Sequence, residues 1–209
     1  MKTIDMRFDS NIFKQMIGQT FKKYRSDEFV FNNSVTGIIG IFVDERVYEF
    51  PKMFFAEIGE DCYIEPPFHA NWGGHNVHFG KCVYANFNLT MVDDTHIYVG
   101  DYTMFGPNVT VATAGHPILP ELREKAYQFN MPVRIGRNCW IGAGAIILPG
   151  VTIGDNTVIG AGSVVTKDIP SGVVAVGNPC RVLREISEHD RVYYYKDRKI
   201  NYADLGMEL

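Results

Sequence analysis

The sequence predicts a mainly β protein, folded as a parallel β-helix of six-residue repeats. From residue 133 the chain divides without a gap into blocks of six, read as VRIGRN, CWIGAG, AIILPG, VTIGDN, TVIGAG and SVVTKD. The third position of every block is aliphatic, and Gly fills the fourth position in four of the six. The same period is present with interruptions between residues 77 and 114, and a weaker pair of blocks begins at residue 56. Such regular repetition is typical of a repeat architecture.

A period of six differs from that of an α-helix, near 3.6, and from that of an exposed strand, near 2. It fits a triangular coil, in which each side is a short strand with its aliphatic residue inward and each corner is a tight turn. Gly after the aliphatic residue suits a corner that needs positive φ or close backbone approach. An antiparallel β-sandwich is the competing fold, but it predicts strands of about 5 to 6 residues separated by variable loops.

Stacked coils need covered ends, so the segments outside the repeat are expected to be caps. Residues 1–55 lack the repeat and are expected to form a partly helical N-terminal cap. Apolar residues recur there at helical spacing: Phe13, Met16, Ile17 and Phe21. Residues 56–182 are expected to form the β-helix. Residues 183–209, which are charged and rich in tyrosine, are expected to form a helical C-terminal tail.

Composition excludes several classes of protein. The length of 209 residues fits one domain, and 46% hydrophobic residues are enough for a core. A net charge of -4 with scattered Lys and Arg argues against nucleic-acid binding. Asp5 and Asp9 interrupt any signal peptide, and residues 35–43 are too short an apolar run to span a membrane. The four cysteines lack CxxC spacing, which favours reduced thiols in a cytoplasmic protein.

The repeat stops at residue 114 and resumes in phase at residue 133. The intervening segment, GHPILPELREKAYQFNMP, is therefore expected to be an extruded loop, residues 115–132. Loops held by a rigid scaffold often carry function. His116 lies at the root of this loop, and imidazole suits a general base. The other histidines have no comparable position: His69, His75, His78, His96 and His189.

Four stretches carry a resemblance to a known family. They are YANFNLTMVDD (84–94), TAGHP (113–117), CWIGAGAIILPGVTIGDNTVIGAGSVVTKDIP (139–170) and GNPCRVLREI (177–186). In this order and spacing, the chain resembles the maltose/galactoside O-acetyltransferase branch of the hexapeptide-repeat acyltransferases. The resemblance covers roughly residues 55–195.

The resemblance implies a left-handed β-helix and a homotrimer with active sites between neighbouring subunits. It also implies acetyl-CoA as co-substrate, with no metal required. His116 matches the catalytic base, which takes the proton from a sugar hydroxyl while that oxygen attacks the thioester. Direct attack needs no acyl-enzyme, in agreement with the lack of a nucleophile constellation.

Further roles are implied residue by residue. Asn86 matches an asparagine beside the reacting centre, which orients either the acetyl group of the donor or the acceptor. Asn71 and Asp94 match acceptor contacts, although a solvated turn is the alternative for the Asp93–Asp94 pair. Ala143 matches a position where some members carry Ser, and its backbone N–H suits an oxyanion.

The resemblance also implies a set of residues that contact coenzyme A. Ala161, Thr166 and Lys167 match contacts to the pantetheine and nucleotide. Arg181 and Arg184 match basic groups near the CoA phosphates, with a solvated charge run as the alternative. Trp140 either lines the cleft or packs between subunits.

Three departures leave the acceptor sugar open. The N-terminal cap does not match the family pattern, so no acceptor contact is assigned there. The segment ANWGGHN, residues 70–76, is one residue longer than the commoner form and carries a Trp. Tyr127 and Gln128 differ from the family's usual pair.

Three other functions compete with sugar O-acetylation by acetyl-CoA. N-acetylation of an amino-sugar or xenobiotic would use the same scaffold. A γ-type carbonic anhydrase needs three histidines on zinc, and His75, His78 and His116 do not repeat at coil spacing. A non-catalytic β-helix leaves the long loop and His116 unexplained.

Overall fold

The computed structural model describes residues 41–42 and 55–205. The chain divides into two compact units, residues 1–32 and 33–209, and every described residue belongs to the second. The amphipathic helix expected around residues 13–21, and nearly all of the expected N-terminal cap, lie outside the described residues.

The elements up to the extruded loop are β1 Ile41–Phe42, β2 Glu57–Ile58, β3 Tyr63–Ile64, β4 Phe68–Ala70, β5 Val77–Phe79, β6 Tyr84–Ala85, β7 Leu89–Val92, β8 Ile97–Val99, β9 Met104–Phe105, β10 Thr110–Ala112 and β11 Ala114–Gly115. Those that follow are α1 Pro120–Arg123, β12 Phe129–Asn130, β13 Val133–Ile135, β14 Trp140–Ile141, β15 Ile146–Ile147, β16 Thr152–Ile153, β17 Val158–Ile159, β18 Val164–Val165, β19 Val173–Val176, β20 Arg181–Glu185, α2 Glu188–Val192, β21 Tyr193–Tyr195, β22 Arg198–Lys199 and a 3₁₀ helix, Tyr202–Leu205.

Most strands form three parallel sheets, which are the faces of a triangular solenoid of about six turns. Face A has the order β3-β6-β9-β14-β17-β19, face B has β2-β5-β8-β13-β16, and face C has β4-β7-β10-β15-β18. Strand β1 pairs antiparallel with β3 at one end of face A, and β20 pairs antiparallel with β19 at the other. The predicted parallel β-helix is confirmed.

Strand register shows how the chain accommodates the loop. In the C-terminal coils Trp140 pairs with Val158, and Ile147 pairs with Val165, so partners lie 18 positions apart. Met104 pairs with Trp140, a separation of 36 positions. The additional 18 positions are residues 115–132, so this segment leaves the solenoid while the coil continues beneath it.

Burial alternates along each side of the triangle. The first and third positions of the blocks point inward, and the second points outward. The inward aliphatic residues from 133 onward are all buried: Val133, Ile135, Ile141, Ile147, Val151, Ile153, Ile159 and Val165. One continuous apolar core therefore runs along the solenoid axis.

Close backbone approach and positive φ, the two reasons expected for Gly, occur at different positions of each corner. A Cβ on Gly142, at position four, would lie 2.5 Å from the backbone nitrogen of Ala161 on the next coil, so close approach requires Gly there. Positive φ occurs instead at position six, where Asn138 has φ 53° and Asn156 has φ 55°. Asn tolerates this conformation better than most residues.

The C-terminal tail differs from the expected helix. Only α2 is α-helical between residues 183 and 205, while β20 continues to Glu185 and β21 pairs antiparallel with β22. Three consecutive tyrosines, 193–195, favour a strand because aromatic residues have high β-propensity. The strand β20 also crosses the expected boundary between residues 182 and 183. Within residues 55–205, no helix has the length and hydropathy to cross a membrane.

Candidate active site

The root of the extruded loop is tightly packed. Strands β11 and β12 pair antiparallel, with Gly115 opposite Phe129. A Cβ on Gly115 would lie 2.6 Å from Cζ of the Phe129 ring, so the ring covers the backbone directly before His116. The Met131 N–H donates to the Thr113 carbonyl over 2.8 Å and fixes the returning strand to the coil. His116 is thus held by its backbone at the base of the loop.

The His116 ring is oriented by the other arm of the loop. Its Nδ1 lies 2.8 Å from the Tyr127 carbonyl oxygen. Because a carbonyl only accepts hydrogen bonds, Nδ1 carries the hydrogen, and the neutral ring has its lone pair on Nε2. The side chain is exposed. This tautomer is the one required of a base that takes a proton through Nε2.

Asp94 lies at the same corner, with both carboxylate oxygens bonded. Asn71 Nδ2 donates to Oδ2 over 2.8 Å, and Gln128 Nε2 donates to Oδ1 over 3.0 Å. The structure therefore brings together the two expected acceptor contacts and adds Gln128. The sequence marked Gln128 only as a departure from the family, and no local pattern shows that a loop residue reaches Asp94.

The neighbouring Asp93 is fully buried. One carboxylate oxygen accepts the Trp72 N–H at 2.7 Å and the other accepts the Asn76 N–H at 3.3 Å. The Asp93 carbonyl also accepts Asn76 Nδ2 at 2.8 Å. This network holds the longer segment 70–76 in place, so the solvated-turn alternative is wrong for Asp93. Trp72 itself is 59% exposed beside Asn71.

A different corner carries the expected donor-side residues. The turns after the face A strands, here called the face A corner, include residues 86–88, 106–108, 142–144 and 160–162. Asn86 occupies position four, where Gly stands in the next three turns of this column. Its Oδ1 accepts the Phe87 N–H over 2.9 Å, which leaves Nδ2 as the outward donor.

Backbone amides at the face A corner are open. Among residues 55–205, the N–H groups of Ala143 and Ala161 have no hydrogen-bond acceptor. Their counterpart after face B is closed, because the Arg137 N–H donates to Asp155 Oδ1 over 2.9 Å. The face A corner therefore offers donors to an external oxygen, the arrangement an oxyanion needs.

The basic residues expected near CoA have different surroundings. Thr166 and Lys167 are exposed at the turn after β18. Arg181 is exposed and donates to the carbonyl of the preceding residue. Arg184 is instead bonded through both terminal nitrogens to the carboxylate of Asp190, each at 2.7 Å. This guanidinium lowers the pKa of Asp190, and its planar donor pair is already occupied.

Apart from Arg181 and Arg184, which lie on β20, the expected site residues thus fall into two groups on separate corners. The turns after the face C strands, here called the face C corner, carry Asn71, Asp94, His116, Thr166 and Lys167. The face A corner carries Asn86, Ala143 and Ala161. One side of the triangle separates the corners, roughly 15–20 Å for a six-residue extended side. One chain does not bring the two groups together.

Outward side chains on face A are markedly apolar. Trp140 is 58% exposed and Met104, its neighbour on the previous coil, is 52% exposed. The Tyr63 and Tyr84 rings stack further along the same face, with centroids 5.4 Å apart. Exposed apolar surface of this kind often marks an interface.

The buried cysteine thiols are unsuited to act as nucleophiles. All four thiols are free, and Cys62, Cys139 and Cys180 are buried, as expected. Burial raises the pKa of Cys62 to about 11 and raises the pKa of Cys139 and Cys180 as well. Buried thiols with raised pKa values are inert.

Metal ligands do not converge in the described part of the chain. Within residues 55–205, no group of three His, Cys, Asp or Glu side chains could hold an ion. His78 Nε2 and His96 Nδ1 lie 2.9 Å apart on face B, as a hydrogen-bonded pair. The ligand set of the carbonic anhydrase alternative is therefore not found in this part of the chain.

Comparison with known proteins agrees with this geometry. Residues 132–167 match the family "Bacterial transferase hexapeptide (six repeats)". The chain is 59% identical over 157 residues to galactoside O-acetyltransferase of Lactococcus lactis, covering 75% of this chain and 76% of that protein. It is 53% identical over 149 residues to galactoside O-acetyltransferase of Escherichia coli K12, covering 71% and 73% respectively.

A solved structure extends the likeness to nearly the whole chain. A galactoside acetyltransferase in complex with coenzyme A superposes with a TM-score of 0.74 and 43% identity. The match covers 93% of this chain and 92% of that one. The fold is therefore the left-handed β-helix that the family resemblance implied.

Proposed function

The chain belongs to the galactoside O-acetyltransferase branch of the hexapeptide-repeat acyltransferases, and on this basis we propose that it acetylates a sugar hydroxyl with His116 as general base. The acetyl donor is acetyl-CoA. The observation that carries the role of His116 is the 2.8 Å contact from its Nδ1 to the Tyr127 carbonyl. That contact assigns the hydrogen to Nδ1 and the lone pair to Nε2.

The reaction proceeds by direct attack. Nε2 of His116 takes the proton of the sugar hydroxyl while the oxygen forms a bond to the thioester carbonyl carbon. The carbonyl oxygen becomes an oxyanion, which the Ala143 N–H and Asn86 Nδ2 stabilise as donors. Collapse breaks the carbon–sulfur bond, and the protonated His116 returns its proton to the leaving thiolate. The products are an O-acetyl sugar and CoA.

A homotrimer would complete this site. His116 and Asp94 lie on the face C corner, whereas Asn86 and Ala143 lie on the face A corner. Packing one subunit's face C corner against a neighbour's face A corner places both groups on one cleft. The exposed Trp140 and Met104 on face A support such an interface.

The coenzyme would lie along this cleft. Ala161 offers an open backbone N–H to the pantetheine, and Thr166 and Lys167 lie about 10 Å from the level of His116, two coil spacings further along the axis. Lys167 and Arg181 are exposed cations for the phosphates. Arg184 joins them only if a phosphate replaces Asp190 as its partner. The free thiols and the acetyl-CoA requirement support a cytoplasmic location.

The test is release of CoA thiol from acetyl-CoA with galactosides, glucosides, maltose and amino-sugars as acceptors. A galactoside or another neutral sugar should raise the rate above hydrolysis without acceptor, and the product should lose its acetyl group to hydroxylamine as an ester. A hydroxylamine-resistant product formed only from amino-sugars would establish the N-acetyltransferase alternative. No acceptor-dependent release, together with no thermal stabilisation by CoA, would refute the proposed function.

A further inference from the structure

We propose that Gln128 is a positioning residue of the acceptor site, which fixes the Asp94 carboxylate and so sets acceptor affinity. The proposal rests on the proposed function, because it takes Asp94 as the acceptor contact. It goes further by assigning a role to a residue of the extruded loop that the family resemblance left unassigned.

The hydrogen bonds define how Gln128 is oriented. Its Nε2 donates to Asp94 Oδ1 over 3.0 Å and to Asn130 Oδ1 over 2.9 Å. An ionised carboxylate only accepts hydrogen bonds, so the amide nitrogen of Gln128 must face Asp94. Both of its N–H groups are then used. Among the residues from 55 to 205, Oε1 of Gln128 has no partner.

Asp94 is consequently held from two directions. Asn71 Nδ2 donates to Oδ2 and Gln128 Nε2 donates to Oδ1. Each N–H occupies one lone pair, and each carboxylate oxygen keeps another for an incoming hydroxyl. A carboxylate fixed in this way fits two neighbouring hydroxyl groups of a sugar, and Oε1 of Gln128 offers a third acceptor beside them. Pre-ordering these groups removes part of the cost of ordering them on binding.

Gln128 also follows the residue that orients the base. The Tyr127 carbonyl holds His116, and the next side chain holds Asp94. The two tasks use different atoms, since the first is a backbone contact and the second a side-chain contact. Pairing of Gly115 with Phe129 anchors the backbone independently of the Gln128 amide. Removing that amide should therefore disturb the acceptor and leave the base in place.

The experiment compares Gln128→Ala and Gln128→Glu with wild type, using the best acceptor from the thiol-release screen. Hydrogen bonds to a charged group contribute about 1.5–3 kcal/mol, so we expect Gln128→Ala to raise the acceptor KM roughly 10- to 100-fold. The kcat should change less than about threefold, and the KM for acetyl-CoA should not change. Ile118→Ala is the matched control, because Ile118 is a loop side chain that is 94% exposed.

Gln128→Glu keeps the size of the side chain and reverses its effect on Asp94. Two facing carboxylates repel when both are ionised, and a shared proton restores a donor. The acceptor KM of this variant should therefore rise steeply as pH increases from about 5 to 8, whereas that of wild type should not follow it.

Other kinetic results would overturn either the role of Gln128 or the proposed function. An acceptor KM in Gln128→Ala equal to that of Ile118→Ala would overturn the role of Gln128. A fall in kcat with unchanged acceptor KM would overturn it too, because it would place Gln128 with the base. A wild type that releases no CoA with any acceptor would instead refute the proposed function.

Discussion

The regular coils and the interrupted coils of this solenoid make different contributions. From residue 133 to 168 the repeat runs without insertion, and its inward positions form the apolar core. Between residues 70 and 132 the repeat is interrupted three times: by the longer segment 70–76, by the insertion at 95–96 and by the loop 115–132. The hydrogen-bond network of Asn71, Asp94 and Gln128 and the oriented His116 lie in the interrupted part. The regular part contributes open backbone amides and small side chains.

The difference has a simple physical origin. A strict six-residue block places its side chains either in the core or on an outward row, which leaves little freedom to make polar side chains converge. An insertion releases the chain from this register and lets residues far apart in sequence meet, as Asn71, Asp94 and Gln128 do. We therefore expect changes in the interruptions to affect activity and changes in the regular coils to affect stability.

The largest expected effect is on activity, at the main interruption. His116→Ala should lower kcat about 10²- to 10⁴-fold, the usual contribution of a general base. CoA affinity and the melting temperature should stay close to wild type, because the ring is exposed and, among residues 55–205, bonds only the Tyr127 carbonyl. Turnover with saturating acetyl-CoA, titration calorimetry with CoA and thermal denaturation measure the three quantities.

His189→Ala is the control for this variant. His189 is also an exposed histidine, stacked on Tyr193 in the tail with ring centroids 4.8 Å apart. Its replacement should leave kcat unchanged. Turnover of His116→Ala within a few-fold of wild type would contradict the assignment of the base.

In the regular coils we expect an effect on stability, which two adjacent isoleucines can test. Ile147 is fully buried, whereas Ile146 points outward and is 39% exposed. Ile147→Ala should lower the free energy of unfolding by about 2–5 kcal/mol, because it leaves a cavity in the core. Ile146→Ala should lower it far less, and chemical denaturation of both variants gives the comparison.

Most of the fold and part of the candidate site could be predicted from the sequence. The inward rows, the extruded loop and the position of His116 follow from a six-residue phase, which is local information. The expected helical tail is wrong, because charge and tyrosine content do not distinguish a short helix and a hairpin from one longer helix. The Gln128–Asp94 bond and the burial of Asp93 could not be predicted, since each depends on how an insertion folds back on the coil.

A smaller effect on stability is expected at the face A corner, where substitutions of Gly142 and Gly144 should differ in their cost. A Cβ on Gly142 would lie 2.5 Å from the Ala161 nitrogen and 2.7 Å from the Ile159 carbonyl oxygen. Gly142→Ala should therefore destabilise the fold by about 1–3 kcal/mol, as overpacking does. Gly144 has φ +68° and open space around its Cβ, so Gly144→Asn should be close to neutral, because Asn138 and Asn156 adopt the same conformation at the same block position. Equal losses in both would contradict the division between close approach at position four and positive φ at position six.

The smallest expected effect lies in the tail, outside both kinds of coil. Arg184 lowers the pKa of Asp190, so the pair stabilises the folded tail at pH values above the pKa of an unfolded Asp, near 3.9. This contribution is lost as pH falls through the lower pKa of the folded state. Both side chains are partly exposed, which keeps the effect small. Asp190→Asn retains an oxygen for the Ser187 N–H but removes the charge. The variant should lose amide protection in the tail at pH 7, and its difference from wild type should shrink below about pH 4. Glu188→Gln is the control, because Glu188 pairs with Arg191 at a more exposed site. If the two proteins still differed in amide protection at acid pH, side-chain packing and not the charge of Asp190 would stabilise the tail.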